Sequence, residues 1–193
     1  MDRRIVRTAV WKHENAKLEI NVTQRYGCYA TLLKVIKDQM DAMSSHYSRV
    51  LVVRLDLHMI EYTGNNEKIS RMLDRLKEWL QPSYGKTRIG HLWVREMERA
   101  KQQHYHLALM IDERLIRHPH NIIKWIEHYW QLRDEPKPFT PRRCYTKVKR
   151  DDPQSYQKAF YRLSYLAKNR GKGYKDQTAN NYSASRIKHK QDR

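Results

Sequence analysis

Residues 50–58 read VLVVRLDLH, and this stretch decides the fold that the rest of the chain can build. It opens with apolar, mostly β-branched residues and then alternates between apolar and polar side chains. In an extended strand, this alternation places Arg54, Asp56 and His58 on one face. We therefore predict a central strand that has a polar face near its end.

Two more strands follow and are predicted to pair with each other. Residues 89–97 and 104–111 are rich in apolar side chains, and the short polar connection between them suits an antiparallel hairpin. Apolar side chains at helical spacing predict four helices, at residues 26–43, 66–80, 118–132 and 152–168. Pro82 should end the second helix, and the fourth begins with Asp152 as N-cap and Pro153 in its first turn. A short strand is predicted at 144–148.

This order of elements predicts an α+β fold. Local pairing of sequential strands gives a central antiparallel sheet, and we expect the helices to pack mainly on one of its faces. A chain of 193 residues accommodates one such domain. We place it at residues 25–170, between a polar N-terminal arm at 1–24 and a basic, flexible C-terminal tail at 171–193.

The charge of the chain indicates its partner. The 39 Lys and Arg residues exceed the 21 Asp and Glu residues and give a net charge of +18, which attracts polyanions such as nucleic acid. No long apolar stretch, apolar leader or lipidation site argues for a membrane, so we expect a cytoplasmic protein. No phosphate-binding loop of the ATPase type is present, so any helicase would be a separate protein.

Positive charge is concentrated near the C-terminus. Residues 142–193 contain fifteen Lys and Arg against four Asp. We therefore expect this part of the chain to contact DNA phosphates. The predicted DNA-binding residues are Arg142, Arg143, Lys147, Lys149, Arg150, Arg162, Arg170 and Lys172.

The sequence His104-Tyr105-His106 is a candidate metal site. Residues two apart on a strand point to the same face, so the two imidazoles lie side by side at a spacing that suits one cation. A carboxylate ligand is available from Glu96 or Glu98 on the preceding strand, but no glycine fixes the turn, so the register is open. The alternative is a surface hairpin with solvated charges.

A second pair with the same spacing, His118 and His120, serves as a comparison. Pro119 lies between them and cannot belong to a hydrogen-bonded strand. We therefore expect these two histidines in a loop, where they cap a helix or face solvent.

The last predicted helix contains a candidate nucleophile. Tyr161, Tyr165 and Lys168 fall on one helical face. A tyrosine hydroxyl attacks a phosphate only when its proton is removed and the phosphate is polarised, so a nearby cation such as Lys168 would assist. The alternative is that Tyr165 packs on the sheet and Lys168 is solvated.

Together these motifs resemble the HUH endonuclease superfamily. The resemblance extends over about residues 25–170 and is closest to the replication initiators of filamentous phages and their relatives in bacterial prophages. It is carried by LVVRLD at 51–56, WVRE at 93–96, HYHLAL at 104–109 and SYLAK at 164–168. It implies a ferredoxin-like core, similar to that of RNA-recognition motifs.

The resemblance also implies roles for individual residues. His104 and His106 would bind Mg²⁺ or Mn²⁺ with Glu96 as third ligand, and Tyr165 would form a 5′-phosphotyrosine and release a 3′-OH. Some initiators use two tyrosines one helical turn apart, and Tyr161 has that spacing from Tyr165; a base-stacking role for Tyr161 is equally open. Asp56 and His58, at the end of the first strand, could also face the site. For Asp56 we prefer the alternative that it pairs with an arginine such as Arg54, because a buried charge needs a partner.

The implied function is nicking and joining of a single-stranded or hairpin origin. This reaction would initiate rolling-circle replication of a phage, prophage or satellite element, with a host helicase and polymerase as partners. Two alternatives remain: a small transposase of the same superfamily, and a non-catalytic basic DNA-binding protein on the same fold.

Overall fold

The antiparallel sheet expected from the sequence is present and has five strands. The computed structural model describes residues 4–97, 103–170 and 180–191. Its strands are β1 (Ile5–Val6), β2 (Val10–His13), β3 (Ala16–Glu19), β4 (Cys28–Tyr29), β5 (Arg49–His58), β6 (Gly90–Met97), β7 (Gln103–Asp112), β8 (Tyr145–Lys149) and β9 (Tyr182–Ala184). Its helices are α1 (Ala30–His46), α2 (Glu67–Tyr84), α3 (His120–Gln131) and α4 (Pro153–Leu163), and a 3₁₀ helix (Ser164–Ala167) follows α4.

The central sheet has the strand order β8-β5-β7-β6-β9, with every neighbouring pair antiparallel. The predicted α+β class and the predicted pairing of β6 with β7 are thus confirmed. The N-cap at Asp152 is confirmed as well, since its carboxylate accepts hydrogen bonds from the backbone N–H groups of Gln154 and Ser155. None of the helices in the described residues has the length and apolar character needed to cross a membrane.

The helices cover both faces of the sheet, which corrects the prediction that they lie mainly on one. Leu51 and Val53 of β5 pack in one apolar cluster with residues of α2 and α3. Val50 and Val52 pack in a second cluster, with residues of α1 and α4. The physical reason is visible in β5 and β7, whose apolar runs leave no polar face over much of their length, as in strands that are buried on both sides.

The described N-terminal residues, from residue 4 onward, belong to the fold, which corrects the prediction of an arm at 1–24 for this part of the chain. The hairpin of β2 and β3 brings in Trp11, which is 2% exposed and stacks on Phe160 of α4 at a ring-centroid distance of 5.8 Å. Ile20 is buried in the same cluster. β1 pairs with β4, and this pairing delays the start of α1 to Ala30, later than the predicted start at Tyr26.

Replacement of Trp11 by alanine is expected to destabilise the protein by about 3–5 kcal/mol, the usual cost of removing a buried large aromatic side chain. The measurement is the free energy of unfolding from urea denaturation followed by circular dichroism. Val10→Ala in the same strand is the matched control, since Val10 is 40% exposed and should change stability by less than about 0.5 kcal/mol. An unchanged stability in Trp11→Ala would restore the interpretation of a loose arm.

The C-terminal residues also join the sheet in part. β9 pairs with β6, with Tyr182 opposite Val94 and Ala184 opposite Leu92. This corrects the prediction of a flexible tail for residues 182–184, and the physical reason is that β9 covers the hydrogen-bonding edge that β6 would otherwise expose. Lys172 lies outside the described residues.

Two helix ends differ from the predictions. α2 continues through Pro82 to Tyr84, because a proline in the last turn removes a single hydrogen bond and leaves the preceding turns intact. α4 ends at Leu163, and the chain then tightens into the 3₁₀ helix. This second change alters which tyrosines share a face.

Candidate active site

The polar ends of β5, β7 and β6 meet on the side of the sheet that α1 and α4 cover. In the antiparallel register, Asp56 lies opposite His106, and His104 lies opposite both His58 and Glu96. Because residues that are paired across strands point to the same face, these five side chains form one polar group.

Glu96, His104 and His106 form the centre of this group. Each offers one ligand atom, and these atoms lie within 4.8 Å of one another. Oε2 of Glu96 is 3.6 Å from Nε2 of His104 and 3.2 Å from Nε2 of His106. All three residues are buried. The other acidic candidate, Glu98, lies outside the described residues.

The donor set fits a divalent cation. Nε2 of His106 is buried and has no hydrogen-bond partner among the described residues, since its 3.2 Å contact with Glu96 lacks hydrogen-bond geometry. A buried polar atom without a partner is costly unless something else satisfies it. Two imidazole nitrogens and a carboxylate oxygen at these spacings suit Mn²⁺ or a similar ion.

Asp56 holds His106 from the other side. Its Oδ1 is 2.7 Å from Nδ1 of His106, and both carboxylate oxygens accept hydrogen bonds from Nη2 of Arg54, at 3.2 and 3.0 Å. The predicted pairing of Asp56 with Arg54 is confirmed, and Asp56 also faces the site. Burial by itself would raise the pKa of the Asp56 carboxyl, but the hydrogen bond with His106 and the charges of His106 and Arg54 outweigh it and lower the pKa. Asp56 is therefore an ionised partner that fixes the orientation of His106.

Tyr165 lies against this group from the 3₁₀ helix. Its ring and the His106 ring are nearly perpendicular, with an interplanar angle of 86° and a centroid distance of 5.3 Å. The guanidinium of Arg54 lies 4.0 Å from the centroid of the Tyr165 ring, and Nζ of Lys168 lies 4.7 Å from it. Burial lowers the pKa of the Lys168 ammonium, and the charges of Arg54 and Arg170 lower it further. Two cations thus flank the tyrosine.

Tyr161 is not part of this arrangement. Its side chain is 41% exposed and lines a cleft of about 710 Å³ together with Arg143, Lys158 and Arg162. The single helical face predicted for Tyr161, Tyr165 and Lys168 does not form, because the backbone changes from α to 3₁₀ geometry at Ser164.

His118 and His120 are also separate from the site. Both are exposed, His118 precedes α3 and contacts the ring of Tyr145, and His120 is the first residue of α3. The prediction that Pro119 keeps this pair out of a strand is confirmed.

The predicted DNA-binding residues have different surroundings in the structure. Arg142, Arg143, Lys147 and Arg162 line an open cleft of about 830 Å³ between β8 and α4. Some of the predicted residues also make contacts within the fold: Lys147 of the cleft pairs with Glu113, Arg150 donates to the carbonyls of Ser44 and Ser45 in the last turn of α1, and Arg170 lies over the Tyr26 ring. Lys149 is exposed on β8.

Phe139 is a residue of this site that the sequence did not indicate. Its backbone exchanges two hydrogen bonds with the backbone of Asp56, at 3.0 and 2.8 Å. Its side chain is 57% exposed. Apart from this isolated bridge, residues 135–141 form no helix or strand, as their three prolines favour.

Comparison with known families identifies a family to which the chain belongs. The YagK/YfjJ C-terminal domain family matches residues 11–184, so the chain belongs to that family. No curated protein and no solved structure matches the chain. The match does not connect the chain with HUH endonucleases, and that resemblance stays a prediction.

Proposed function

We propose that this member of the YagK/YfjJ C-terminal domain family nicks and rejoins single-stranded DNA through Tyr165. The observation that supports the proposal best is the contact of Tyr165 with His106, whose own neighbours Glu96 and His104 complete a possible metal-binding group. The tyrosine and the histidines come from distant parts of the sequence. Their meeting in a partly buried, cation-rich place is what a tyrosine nucleophile for phosphate chemistry requires.

The proposed reaction is a transesterification. The Tyr165 hydroxyl loses its proton, its oxygen bonds to phosphorus, the bond from phosphorus to O3′ breaks, and O3′ takes up a proton to become a 3′-OH. The phosphate stays on Tyr165 as a 5′-phosphotyrosine, so the same ester can later be attacked by a 3′-OH and the strand rejoined without ATP. A Mg²⁺ or Mn²⁺ ion held by Glu96, His104 and His106 would polarise the phosphate and neutralise its charge.

The residues around Tyr165 have distinct proposed roles. Arg54 and Lys168 place positive charge next to the Tyr165 ring, where they stabilise the negative charge that develops on the phosphate oxygens. Asp56 keeps His106 in the orientation that presents Nε2 to the cation. The basic cleft between β8 and α4 guides the strand to the site.

The biological role that we propose is initiation of rolling-circle replication of a phage, prophage or satellite element, in the cytoplasm of a bacterial cell. The substrate would be a single-stranded or hairpin origin, and a host helicase and polymerase would extend the released 3′-OH. A small transposase would use the same chemistry.

The test is formation of a covalent adduct. Purified protein is incubated with a random-sequence single-stranded DNA library and Mn²⁺, and the products are separated on a denaturing gel. With label at the 3′ end of the DNA, the label should move with the protein. With label at the 5′ end it should remain in a shortened free strand. DNA binding without an adduct under any divalent cation would favour a non-catalytic DNA-binding protein.

Asp56→Asn is expected to slow adduct formation by about 10–100-fold and to weaken Mn²⁺ binding by a similar factor, since partners that orient metal ligands have effects of this size. Asp112→Asn is the matched control, because Asp112 is also buried on the sheet and paired with an arginine, Arg114, but lies at the other end of β7. The readouts are the single-turnover rate as a function of Mn²⁺ concentration and the melting temperature. If both variants lower the melting temperature equally and neither shifts the Mn²⁺ dependence, the role of Asp56 is structural.

A further inference from the structure

A small cleft next to the candidate active site contains three arginines. Its volume is about 180 Å³, and Arg54, Arg143 and Arg162 line it together with the polar residues Asn21 and Thr146. No acidic residue is among the described residues that line it. Asp56 pairs with Arg54 and offsets a single positive charge. The cleft therefore keeps an excess of positive charge.

Two of these arginines are held in place by the fold. Nη1 of Arg162 donates to the carbonyl of Tyr145 at 3.1 Å and to Oγ1 of Thr146 at 3.2 Å. Arg54 is fixed by its double contact with Asp56, and its Nε is buried without a hydrogen-bond partner among the described residues. Positioned guanidinium groups suit the oxygens of a phosphate.

The three guanidinium groups also lie close enough to repel one another. Burial lowers the pKa of Arg162, and the positive charges of Arg143 and Arg54 lower it further. Holding like charges together costs free energy in the unbound protein, and a bound anion removes that cost. Arg54 links the cleft to the reaction centre, since its guanidinium also lies over the ring of Tyr165.

The geometry points to a phosphate subsite formed by Arg54, Arg143 and Arg162, which binds a backbone phosphate of a single DNA strand beside the phosphate that Tyr165 attacks. The inference deepens the proposed function and rests on it for the identity of the ligand. The subsite would hold the strand in register with the nucleophile. In the free protein its charge is unsatisfied, and in the complex the three arginines share one phosphate.

The test measures DNA binding without metal, so that its outcome does not depend on cleavage. Fluorescence anisotropy follows the binding of labelled oligo-dT in EDTA at several NaCl concentrations. The variants are Arg143→Gln, Arg162→Gln and the double variant, because Arg54 also contacts Asp56 and Tyr165. Arg71→Gln is the control, since Arg71 is exposed on α2, on the other face of the sheet.

If the three arginines share one phosphate, each single variant should bind oligo-dT roughly tenfold more weakly than the parent protein, because one charged hydrogen-bonding group is lost. The remaining arginines still neutralise the phosphate, so the dependence of log affinity on log salt should keep its slope. In the double variant the slope should fall by about 0.7, the value for one phosphate of a single strand. Arg71→Gln should have the same affinity and the same salt dependence as the parent protein.

Two results would overturn the subsite. If the slope of log affinity against log salt falls by about 0.7 in each single variant and by about 1.4 in the double variant, Arg143 and Arg162 contact two separate phosphates. Unchanged affinity in Arg143→Gln, whose exposed side chain is not needed for folding, would mean that the cleft holds no phosphate. Failure of the proposed function would be recognised separately. In that case the variants would still bind DNA more weakly than the parent protein, but the parent protein would form no covalent adduct.

Discussion

Replacement of Tyr165 by phenylalanine is expected to abolish the covalent adduct with DNA, with a loss of rate on the order of 10⁴-fold or more, as for removal of an enzyme nucleophile. The change removes a single oxygen atom. The phenyl ring keeps its contacts with His106, Arg54 and Lys168, so folding and DNA binding should be preserved. Adduct is measured on a denaturing gel, and DNA binding is measured by anisotropy on the same preparations.

Tyr161→Phe is the matched control for that experiment. Tyr161 is a tyrosine from the same segment of the chain, but it lines the separate cleft of about 710 Å³ together with basic side chains. We expect Tyr161→Phe to form adduct at the rate of the parent protein. An adduct in Tyr165→Phe that disappears only in the double variant would show that both tyrosines act as nucleophiles, as in initiators with two tyrosines.

The central part of the fold could be predicted from the sequence because its signals are local. Alternation along residues 50–58 and the polar connection after residue 97 were sufficient for β5, β6 and β7 and for the antiparallel pairing of β6 with β7. The pairing of β5 with β7 and β8 was not predicted, because pairing of sequential strands would have placed β5 beside β6. The terminal segments were missed because their strands are short and depend on distant partners. Trp11 is recognisable as a core residue only when Phe160 lies opposite it, and β9 has three residues and no pattern of its own.

The site was predictable to the extent that it depends on strand periodicity. A period of two placed His104 beside His106, and the polar alternation of β5 placed Asp56 on one face with Arg54. The position opposite His104 required the hairpin register, which the turn sequence did not fix; in the structure Glu96 occupies it. The separation of Tyr161 from Tyr165 was unpredictable, since helical spacing assumes an α geometry that ends at Leu163.

Replacement of His106 by alanine is expected to remove divalent-cation binding and to slow adduct formation on the order of 10³-fold. A bound cation contributes several kcal/mol to the stabilisation of phosphate charge, and each ~1.4 kcal/mol corresponds to a factor of ten in rate. His120→Ala is the matched control, because His120 belongs to the other histidine pair and is exposed at the start of α3. It should behave as the parent protein.

Metal binding can be followed without DNA or activity. Mn²⁺ should raise the melting temperature of the parent protein and of His120→Ala, because a ligand that binds only the folded state stabilises it. EDTA should reverse this increase, and His106→Ala should show none. Oligo-dT binding by His106→Ala in EDTA should remain that of the parent protein, since the basic cleft is intact. If instead Mn²⁺ raises the melting temperature of His106→Ala as much as that of the parent, the group of Glu96, His104 and His106 is a buried polar cluster that serves the fold, and the cation that the chemistry needs must bind elsewhere.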